Sequence, residues 1–256
     1  MLGYALIAIA GFVAGAINSI AGGGTLLSFP ALMWVGRSAV IANATNTVAI
    51  WPGSLAGVFG FRHDLKRVRP WLFWLMIPSL AGGIAGAVLL LHTREKTFSR
   101  IVPFLILGAT LLLAAQEMIS RLLNLIAKAH AKPTAGWVVF VVVFQLLVAL
   151  YGGYFGAGMG ILMLAALGLI GLTDLHEMNG LKNLLAICIN GVAAIYFAVA
   201  GAVDWRDVAV MAVTSILGGL AGAKLAHKLG RQFVRRAVVA IGIVMTVALW
   251  IRAQFA

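Results

Sequence analysis

The sequence predicts an all-α fold, namely a polytopic helical membrane protein with an internal two-fold repeat. Hydrophobic residues make up 62% of the chain and charged residues only 10%, whereas soluble domains hold roughly 45–50% and about 25%. Apolar runs long enough to cross a bilayer, roughly 17–25 residues each, recur along the whole length. Related residues also return at a constant offset of 136 positions. The expected architecture has about eight spanning helices and two short re-entrant or broken segments.

Ten apolar segments follow one another, and most charged residues lie in the short gaps between them. The segments are 3–21, 24–36, 38–61, 71–92, 98–120, 135–156, 158–172, 175–202, 207–226 and 233–254. The first lacks the basic start of a secretory signal and takes part in the repeat, so we expect a transmembrane helix there. The second and seventh are too short or too rich in glycine to cross, which predicts half-helices. Runs of this length without strict alternation argue against an outer-membrane barrel.

The repeat divides the chain into a first transmembrane repeat at 1–120, a basic linker at 121–134 and a second transmembrane repeat at 135–256. Its clearest block matches SLAGGIAGA at 79–87 with SILGGLAGA at 215–223. The loop at 62–69 is strongly basic, whereas its repeat partner DWRD at 204–207 is net negative. The positive-inside rule places two such loops on opposite sides of the membrane, which favours an inverted repeat.

Polar side chains recur at matched positions on two of the predicted helices. At about 100° per residue, each set lies on one side of its helix. Amide side chains facing lipid are unfavourable, so we predict that both faces line a cavity. Lys182 lies about two turns inside its helix, where a charge costs roughly 2.5–3.5 kcal/mol, and this indicates a functional role. The alternative is that Lys182 extends toward the nearer membrane surface. The two sets are Asn43, Asn46, Thr47 and Ser54, and Asn179, Lys182, Asn183 and Asn190.

Closely spaced glycines precede each predicted half-helix. Backbone amides in such turns can point at a ligand, and a helix N-terminus adds roughly half a positive charge, so the pair predicts an anion site. The alternative is a packing kink that binds no ligand. The candidate substrate-binding residues are therefore Gly22, Gly23, Gly24, Thr25, Asn43, Asn46, Thr47, Gly158, Gly160, Asn179, Lys182 and Asn183.

A net charge of +12 would suggest a nucleic-acid partner in a soluble chain, but here the basic residues cluster at segment ends. Such clusters act as topology signals and lipid-headgroup anchors, so we expect no nucleic-acid partner. The five histidines fall at or near loop ends without metal-ligand spacing, and Cys188 is the single cysteine. We therefore expect no metal site, no cofactor and no catalytic residue.

Two smaller patterns predict structural roles. Gly82 with Gly86, and their repeat partners Gly218 and Gly222, form small-residue pairs that let helix backbones approach closely. Asp174 and Glu177 have the spacing of a helix-capping box. For these two acidic residues a proton relay is the alternative role.

Three function classes are compatible with these features. Internal duplication with broken helices near the midplane is typical of secondary transporters, which favours a permease with a site between the repeats. A membrane scaffold would use the small-residue faces for assembly without a polar cavity. A membrane-embedded enzyme would need a nucleophile and base, or a metal set, which the sequence does not offer. The expected partners are the lipid bilayer and a small anionic substrate, with a coupled proton or ion and a second copy of the chain as further candidates.

The run GFVAGAINSIAGGGTLLSFPAL at 11–32 and the run IANATNT at 41–47 resemble the TauE/SafE family of membrane anion permeases. The resemblance covers nearly the whole chain and implies transport of sulfite, sulfonates or other small, mainly sulfur-containing anions. We further expect alternating access around one central site and a place in the bacterial cytoplasmic (inner) membrane. The second half departs from the pattern, because Met159 interrupts the glycines and Ala166 takes the repeat position of Pro30.

Overall fold

A computed structural model describes residues 2–20, 23–59, 69–119, 121–122, 134–172, 174–229 and 231–254. These residues contain ten helices of ten or more residues and no strand. The helices are α1 (Leu2–Ile20), α2 (Thr25–Trp34), α3 (Ala39–Phe59), α4 (Arg69–His92), α5 (Glu95–Ala114), α6 (Ala135–Tyr154), α7 (Met159–Leu169), α8 (Leu175–Val199), α9 (Trp205–Leu229) and α10 (Arg231–Gln254).

The structure confirms a polytopic helical membrane protein. Within the described residues, five helical stretches are long and apolar enough to cross a bilayer, namely Trp71–His92, Glu95–Ala114, Ala135–Tyr154, Glu177–Val199 and Gln232–Ile251. Large apolar side chains such as Ile9 and Phe104 are more than 60% exposed, as lipid-facing residues would be. The helices α2 and α7 are short, at 10 and 11 residues, as the glycine-rich segments predicted.

Helix pairs form between the two halves of the chain rather than within each half. The most extensive contacts join α1 to α9 and α4 to α6, while α3 packs against α8 and α5 against α10. An offset of 136 residues relates α1 to α6 and α4 to α9. The α1–α9 pair and the α4–α6 pair therefore exchange with each other when the two halves are exchanged. The two largest helix contacts are therefore related by the same offset as the sequence repeat.

Glycine lets the exchanged helix pairs approach to backbone contact. A Cβ built on Gly82 would lie 2.6 Å from the carbonyl oxygen of Leu146 in α6, and one on Gly86 would overlap the carbonyl of Leu150. At the repeat position of Gly82, Gly218 of α9 lies against the backbone of Phe12. Such close approach is what small residues at helix interfaces allow inside a bilayer, which confirms the predicted packing role of these glycines.

The helix ends define two faces of the molecule. The Arg37 face holds Arg37 in the loop between α2 and α3, together with Thr93 at the end of α4 and Asp204 before α9. There, the hydroxyl oxygen of Tyr154, at the end of α6, lies 3.5 Å from the hydroxyl oxygen of Thr93. The linker face holds Trp137 near the start of α6, whose indole donates to the carbonyl of Leu169 in α7 at 2.6 Å. Thus α1 runs from the Arg37 face toward the linker face, and α6 runs in the reverse direction.

An ion-pair cluster connects the two halves at the Arg37 face. The guanidinium of Arg37 donates to Asp207 at 2.6 and 3.1 Å and lies 2.9 Å from Asp204. The side chain of Asp207 is fully buried, and hydrogen bonding to it raises the pKa of Arg37 above its usual range. The backbone N–H of Asp204 also donates to Thr45 of α3 at 3.0 Å. The loops α2–α3 and α8–α9 are therefore held together.

Side-chain carboxylates cap the first turns of three helices, and the cap of α9 is Asp204, which accepts from the backbone N–H groups of Arg206 and Asp207. Glu95, in the first turn of α5, accepts from the backbone N–H groups of Ala39 and Val40 at 2.5 and 3.0 Å and so caps α3. Asp174 accepts from the backbone N–H of Glu177 at 3.3 Å. This contact confirms the predicted helix-capping role of Asp174, because a carboxylate before a helix satisfies the first free N–H groups.

Candidate functional site

Two half-helices begin in the interior of the molecule. The start of α2 packs against the C-terminal part of α1, where the backbone N–H of Gly24 donates to Asn18 at 2.8 Å. Gly23 has a φ of +95°, which permits the turn from α1 into α2. The corresponding turn from α6 into α7 uses positive φ values at Gly156 and Gly158, +78° and +77°. Because Gly158 supplies this conformation, Met159 can be the first helical residue of α7.

A small polar cavity lies between these two turns. Its volume is about 40 Å³, and since one water needs roughly 10–15 Å³ of such space, it holds about three waters or one small oxyanion. It is bounded by the start of α2, the middle of α3, the α6–α7 turn and the middle of α8. Both halves of the chain therefore contribute to its wall. The lining residues are Thr25, Asn46, Thr47, Ile50, Trp51, Phe155, Gly156 and Asn190.

Asn46 is oriented by a hydrogen bond from α2. The hydroxyl of Ser28 donates to Oδ1 of Asn46 at 2.6 Å, and both side chains are buried. The amide oxygen of Asn46 is therefore engaged, and its NH₂ group is the part that can donate to a ligand. Because Asn46 also lines the cavity, the arrangement provides a donor suited to an anion.

Trp51 fixes the crossing of α3 and α8 beside the cavity. Its indole N–H donates to the carbonyl oxygen of Ile187 at 3.1 Å. These two residues are separated by 136 positions, the offset of the repeat. A Cβ built on Gly191 would lie 3.1 Å from the indole ring, so the glycine makes room for it. The contact places the cavity at the centre of the exchanged helix pairs.

Asn43 lies one helical turn before the lining residues of α3. Its Nδ2 donates to the carbonyl oxygen of Tyr154 at 2.9 Å, at the end of α6. Its backbone carbonyl accepts from the hydroxyl of Thr47 at 2.9 Å. The side chain is only 1% exposed, and its Oδ1 has no hydrogen-bond partner among the described residues.

The structure places the predicted site residues in three groups. Thr25, Asn46 and Thr47 line the cavity. Gly23, Gly24, Gly158 and Gly160 form the turns and first residues of the half-helices, and Asn43 lies one turn away. Gly22 lies outside the described residues. The third group is Asn179, Lys182 and Asn183 of α8, which do not line the cavity.

The polar residues of α8 form a stripe that leads from the linker face toward the cavity. Asn183 and Asn179 precede the lining residue Asn190 by seven and eleven positions, roughly 10 and 16 Å along the helix axis. The ammonium of Lys182 donates to Oδ1 of Asn179 at 3.1 Å. A Cβ built on Gly160 would lie 3.5 Å from Lys182 Cδ, so the lysine stem passes the start of α7. The stem of Lys182 therefore lies beside the start of α7, while its ammonium pairs with Asn179 and is not part of the cavity wall.

Sequence reasoning missed four lining residues, Ile50, Trp51, Phe155 and Gly156. Trp51 and Phe155 stand in apolar runs, where aromatic residues are as expected in a packed core as at a site, so no sequence signal separates them. Gly156 could have been found, because it belongs to the glycine-rich turn before α7. Asn190 was recognised as part of the repeated polar face, although the predicted site did not include it.

A polytopic helical chain with two interior half-helix N-termini around a polar cavity has the architecture of a membrane transporter. Comparison with known sequences agrees, since the model of the family described as "Sulfite exporter TauE/SafE" matches residues 7–249. The chain belongs to this family of integral membrane proteins.

Several relatives carry transporter names. A "Probable membrane transporter protein" of Haemophilus influenzae is 28% identical over 250 residues, covering 96% of this chain and 94% of that protein. The "Probable membrane transporter protein YfcA" of Escherichia coli K12 is 28% identical over 239 residues, covering 93% and 86%. The "Probable membrane transporter protein ORF9" of a Sinorhizobium species is 27% identical over 250 residues, covering 96% and 91%. No solved structure gives a significant match to this chain.

Proposed function

We propose that this chain transports a small sulfur-containing oxyanion, such as sulfite or an organosulfonate, by alternating access at the central cavity. The observation that carries the proposal is the cavity itself, which is walled by both halves and lined by amide and hydroxyl groups. Rocking of one half against the other around such a site is the motion by which repeat-built transporters expose it to each side in turn.

The chemistry of the cavity wall favours an anion over a cation. No Asp or Glu is among the lining residues, whereas Asn46, Thr47, Thr25 and Asn190 can all donate hydrogen bonds. Because the hydroxyl of Ser28 donates to the amide oxygen of Asn46, the NH₂ group of Asn46 is available to a ligand. Hydrogen bonds to charged groups contribute about 1.5–3 kcal/mol each, so a few such donors are enough to bind an oxyanion in competition with water.

The half-helices add fixed positive potential. The first turns of α2 and α7 begin beside the cavity, and each helix N-terminus is equivalent to roughly half a positive charge. Lys182, whose stem passes the start of α7 and whose ammonium pairs with Asn179, adds a full positive charge on the linker side of the cavity. Together these groups offset part of the cost of moving an anion out of water.

The volume of the cavity limits the size of the substrate. A space of about 40 Å³ is enough for a few water-sized groups, so it suits a small oxyanion such as sulfite. The organic part of a sulfonate would require the cavity to open toward one face. We place the protein in the bacterial cytoplasmic (inner) membrane, because its apolar segments are helical and its basic clusters follow the positive-inside pattern.

Uptake of labelled sulfite, a sulfonate and thiosulfate into liposomes containing the purified protein tests the proposal. Replacing Asn46→Leu keeps the side-chain volume and removes the donor, while Ser28 can turn its hydroxyl to the carbonyl of Gly24, 3.1 Å away. We expect a roughly 10- to 100-fold loss of anion affinity, which is the contribution of one hydrogen bond to a charged group. If no sulfur oxyanion is transported under any imposed gradient, the substrate assignment is wrong.

Gln145→Leu is the matched control for Asn46→Leu. Gln145 is also a fully buried amide, but it lies in α6 and donates to Ser79 of α4 at 2.8 Å, away from the cavity. The control variant should keep the anion affinity of the parent protein. An equal loss in both variants would mean that the effect comes from weakened helix packing and not from the cavity.

A further inference from the structure

The amide oxygen of Asn43 is a buried acceptor beside the cavity without a donor. The side chain is 1% exposed, and its orientation is fixed because Nδ2 donates to the carbonyl of Tyr154. Turning the amide over would place two oxygens against each other, so Oδ1 must point away from Tyr154. A buried acceptor that stays unsatisfied costs about 1–3 kcal/mol, which indicates that a donor or a cation meets it in the working protein.

The second half of the chain shows what meets the equivalent atom there. Asn179 is the repeat partner of Asn43 at an offset of 136 residues, and its Oδ1 accepts from the ammonium of Lys182 at 3.1 Å. At the position of Lys182 the first half has Asn46, whose amide is engaged with Ser28 instead. One half therefore supplies a fixed positive charge to this amide oxygen, and the other does not.

We propose that Asn43 Oδ1 is a ligand of a bound monovalent cation, with sodium as the probe, at the break between α6 and α7. The proposal rests on the proposed transport function, in which this cation would move together with the anion. Chain breaks in transporters are places where sodium binds, and the hydrogen bond from Nδ2 to the carbonyl of Tyr154 holds Asn43 at such a break, with Oδ1 directed away from that carbonyl. The cation would occupy the place that the Lys182 ammonium takes in the second half.

A proton is a weaker candidate for this site. An amide oxygen is too weak a base to hold a proton near neutral pH, whereas it is a good ligand for a hard cation. Six of the seven acidic residues belong to the described part of the chain, namely Glu95, Glu117, Asp174, Glu177, Asp204 and Asp207, and none of these six lines the cavity. Asp207 is buried but pairs with Arg37 at the Arg37 face. Among the described residues, no carboxylate is therefore positioned at the cavity to carry a coupling proton.

Thermal unfolding of the purified protein in detergent, without any anion substrate, tests the site directly. Sodium chloride is compared with choline chloride at equal ionic strength, because choline is too large to reach a buried amide oxygen. We expect sodium to raise the midpoint temperature in a saturable manner and choline to leave it unchanged. An identical response to both salts would mean that water alone satisfies Asn43, and the proposal would be overturned.

The variant Asn46→Lys gives the first half the arrangement of the second. A lysine three residues after Asn43 has the spacing of Lys182 to Asn179, so its ammonium can reach Asn43 Oδ1. We expect this variant to lose the sodium response, with an apparent sodium affinity at least about tenfold weaker, since a fixed cation replaces the mobile one. A sodium response as strong as that of the parent protein would contradict the proposal.

The reverse variant, Lys182→Asn, keeps the test decisive if Asn46→Lys does not fold. It removes the fixed ammonium that donates to Asn179, so we expect stabilisation by sodium to increase. An unchanged sodium response would count against the proposal. Gln145→Leu is the control, because Gln145 Oε1 is the other buried side-chain oxygen without a partner among the described residues. Sodium stabilisation should persist in it, and its loss there would show that the response belongs to buried amides in general.

The cation site and the transport function can fail separately. Sulfite uptake that proceeds equally in sodium and choline media, together with an absent sodium shift, would remove the cation site and leave the anion site intact. A sodium shift without uptake of any sulfur oxyanion would keep the cation site and remove the proposed substrate.

Discussion

The orientation of Asn46 depends on a single hydroxyl group, that of Ser28 in α2, at 2.6 Å. Ser28 itself does not line the cavity, so Ser28→Ala affects the cavity wall only by releasing the side-chain amide of Asn46. The amide would then be free to rotate, and its oxygen could face the anion. We expect anion affinity to fall by about fivefold, the contribution of roughly 1 kcal/mol for one hydrogen bond, with binding measured by calorimetry.

Thr110→Val is the control for Ser28→Ala. Thr110 is a buried hydroxyl in α5 that donates at 2.7 Å to Ile106 of its own helix. Removing this hydroxyl should leave anion affinity unchanged, because no cavity residue depends on it. If Ser28→Ala bound the anion as tightly as the parent protein, Asn46 would not donate to the substrate.

At the scale of single residues, the sequence predicted which polar side chains belong to the site region, but it did not predict which of them line the cavity. Three of the predicted residues, Thr25, Asn46 and Thr47, line the cavity. Helical spacing shows that residues share a face, but it does not show at what depth the partner helices leave a gap. The gap lies about 10–16 Å from Asn183 and Asn179 along α8, and only the packing of α2 and α7 determines that position.

The helices themselves could be predicted closely, because hydropathy marks their extent. The predicted segments 38–61 and 135–156 became α3 (Ala39–Phe59) and α6 (Ala135–Tyr154). The largest difference is in α5, predicted at 98–120 and observed at Glu95–Ala114. Its polar first turn, with Glu95 capping α3, has no apolar signal, and a turn at Ala115 ends it early.

The exchanged helix pairs lead to a prediction about glycine. Gly82→Ala and Gly218→Ala each place a methyl group against the backbone of the partner helix, at Leu146 or Phe12. We expect each variant to destabilise the protein by roughly 1–3 kcal/mol, the usual cost of overpacking, measured as a lower midpoint of thermal unfolding in detergent. Because the two positions are repeat partners, the two losses should be similar.

Gly108→Ala is the control for these variants. Gly108 is a helical residue of α5 with no atom within 4 Å of a built Cβ. Alanine should be neutral there or stabilise by up to about 1 kcal/mol, because it favours helical backbone more than glycine does. A Gly82→Ala protein as stable as Gly108→Ala would show that α4 and α6 do not approach as closely as described.

The molecule as a whole is less symmetric than its repeat. At the Arg37 face, Arg37 of the first half holds Asp204 and Asp207 of the second. The repeat partner of Arg37 is Thr173, and those of the two acids are Val68 and Trp71, none of them charged. The charge difference could be read from the sequence, but the contact between residues 170 positions apart could not. This ion pair therefore joins the two halves at the Arg37 face.

A double-mutant cycle between Arg37→Gln and Asp207→Asn measures the interaction free energy of the two side chains. We expect a coupling of roughly 0.5–3 kcal/mol, since contacting residues in one network are not additive. Arg37→Gln alone should be the more damaging change, because it leaves the fully buried carboxylate of Asp207 without a counter-charge, whereas Asp207→Asn leaves a partly exposed guanidinium that still pairs with Asp204. Additive effects on the midpoint of thermal unfolding would show that the two side chains do not interact.

The pH dependence of this pair follows from the raised pKa of Arg37. A base whose folded-state pKa is raised contributes stability below its ordinary pKa, and the contribution is lost as pH rises through the folded value. The arginine side of the pair therefore remains charged throughout the neutral and mildly alkaline range. The coupling in the cycle should be unchanged there, and a loss near neutral pH would contradict the assignment.

The opposite directions of α1 and α6 predict where matched loops are exposed. Ser38 and Asp174 are repeat partners, and both are exposed, Ser38 at the Arg37 face and Asp174 at the linker face. Lysine and arginine are concentrated in the sequence between helices that meet at the linker face, for example Lys66 and Arg67 between α3 and α4. The positive-inside rule therefore assigns the linker face to the cytoplasm.

Cysteine labelling in intact cells measures this topology. In a Cys188→Ala background, which removes the single native cysteine, we expect Ser38→Cys to react with a membrane-impermeant maleimide added outside. Asp174→Cys should react only after the membrane is permeabilised, and Thr134→Cys at the linker face should behave in the same way. Labelling of Ser38→Cys and Asp174→Cys from the same side would mean that the two halves are parallel. Alternating access by rocking of inverted halves would then be wrong, whatever anion the cavity binds.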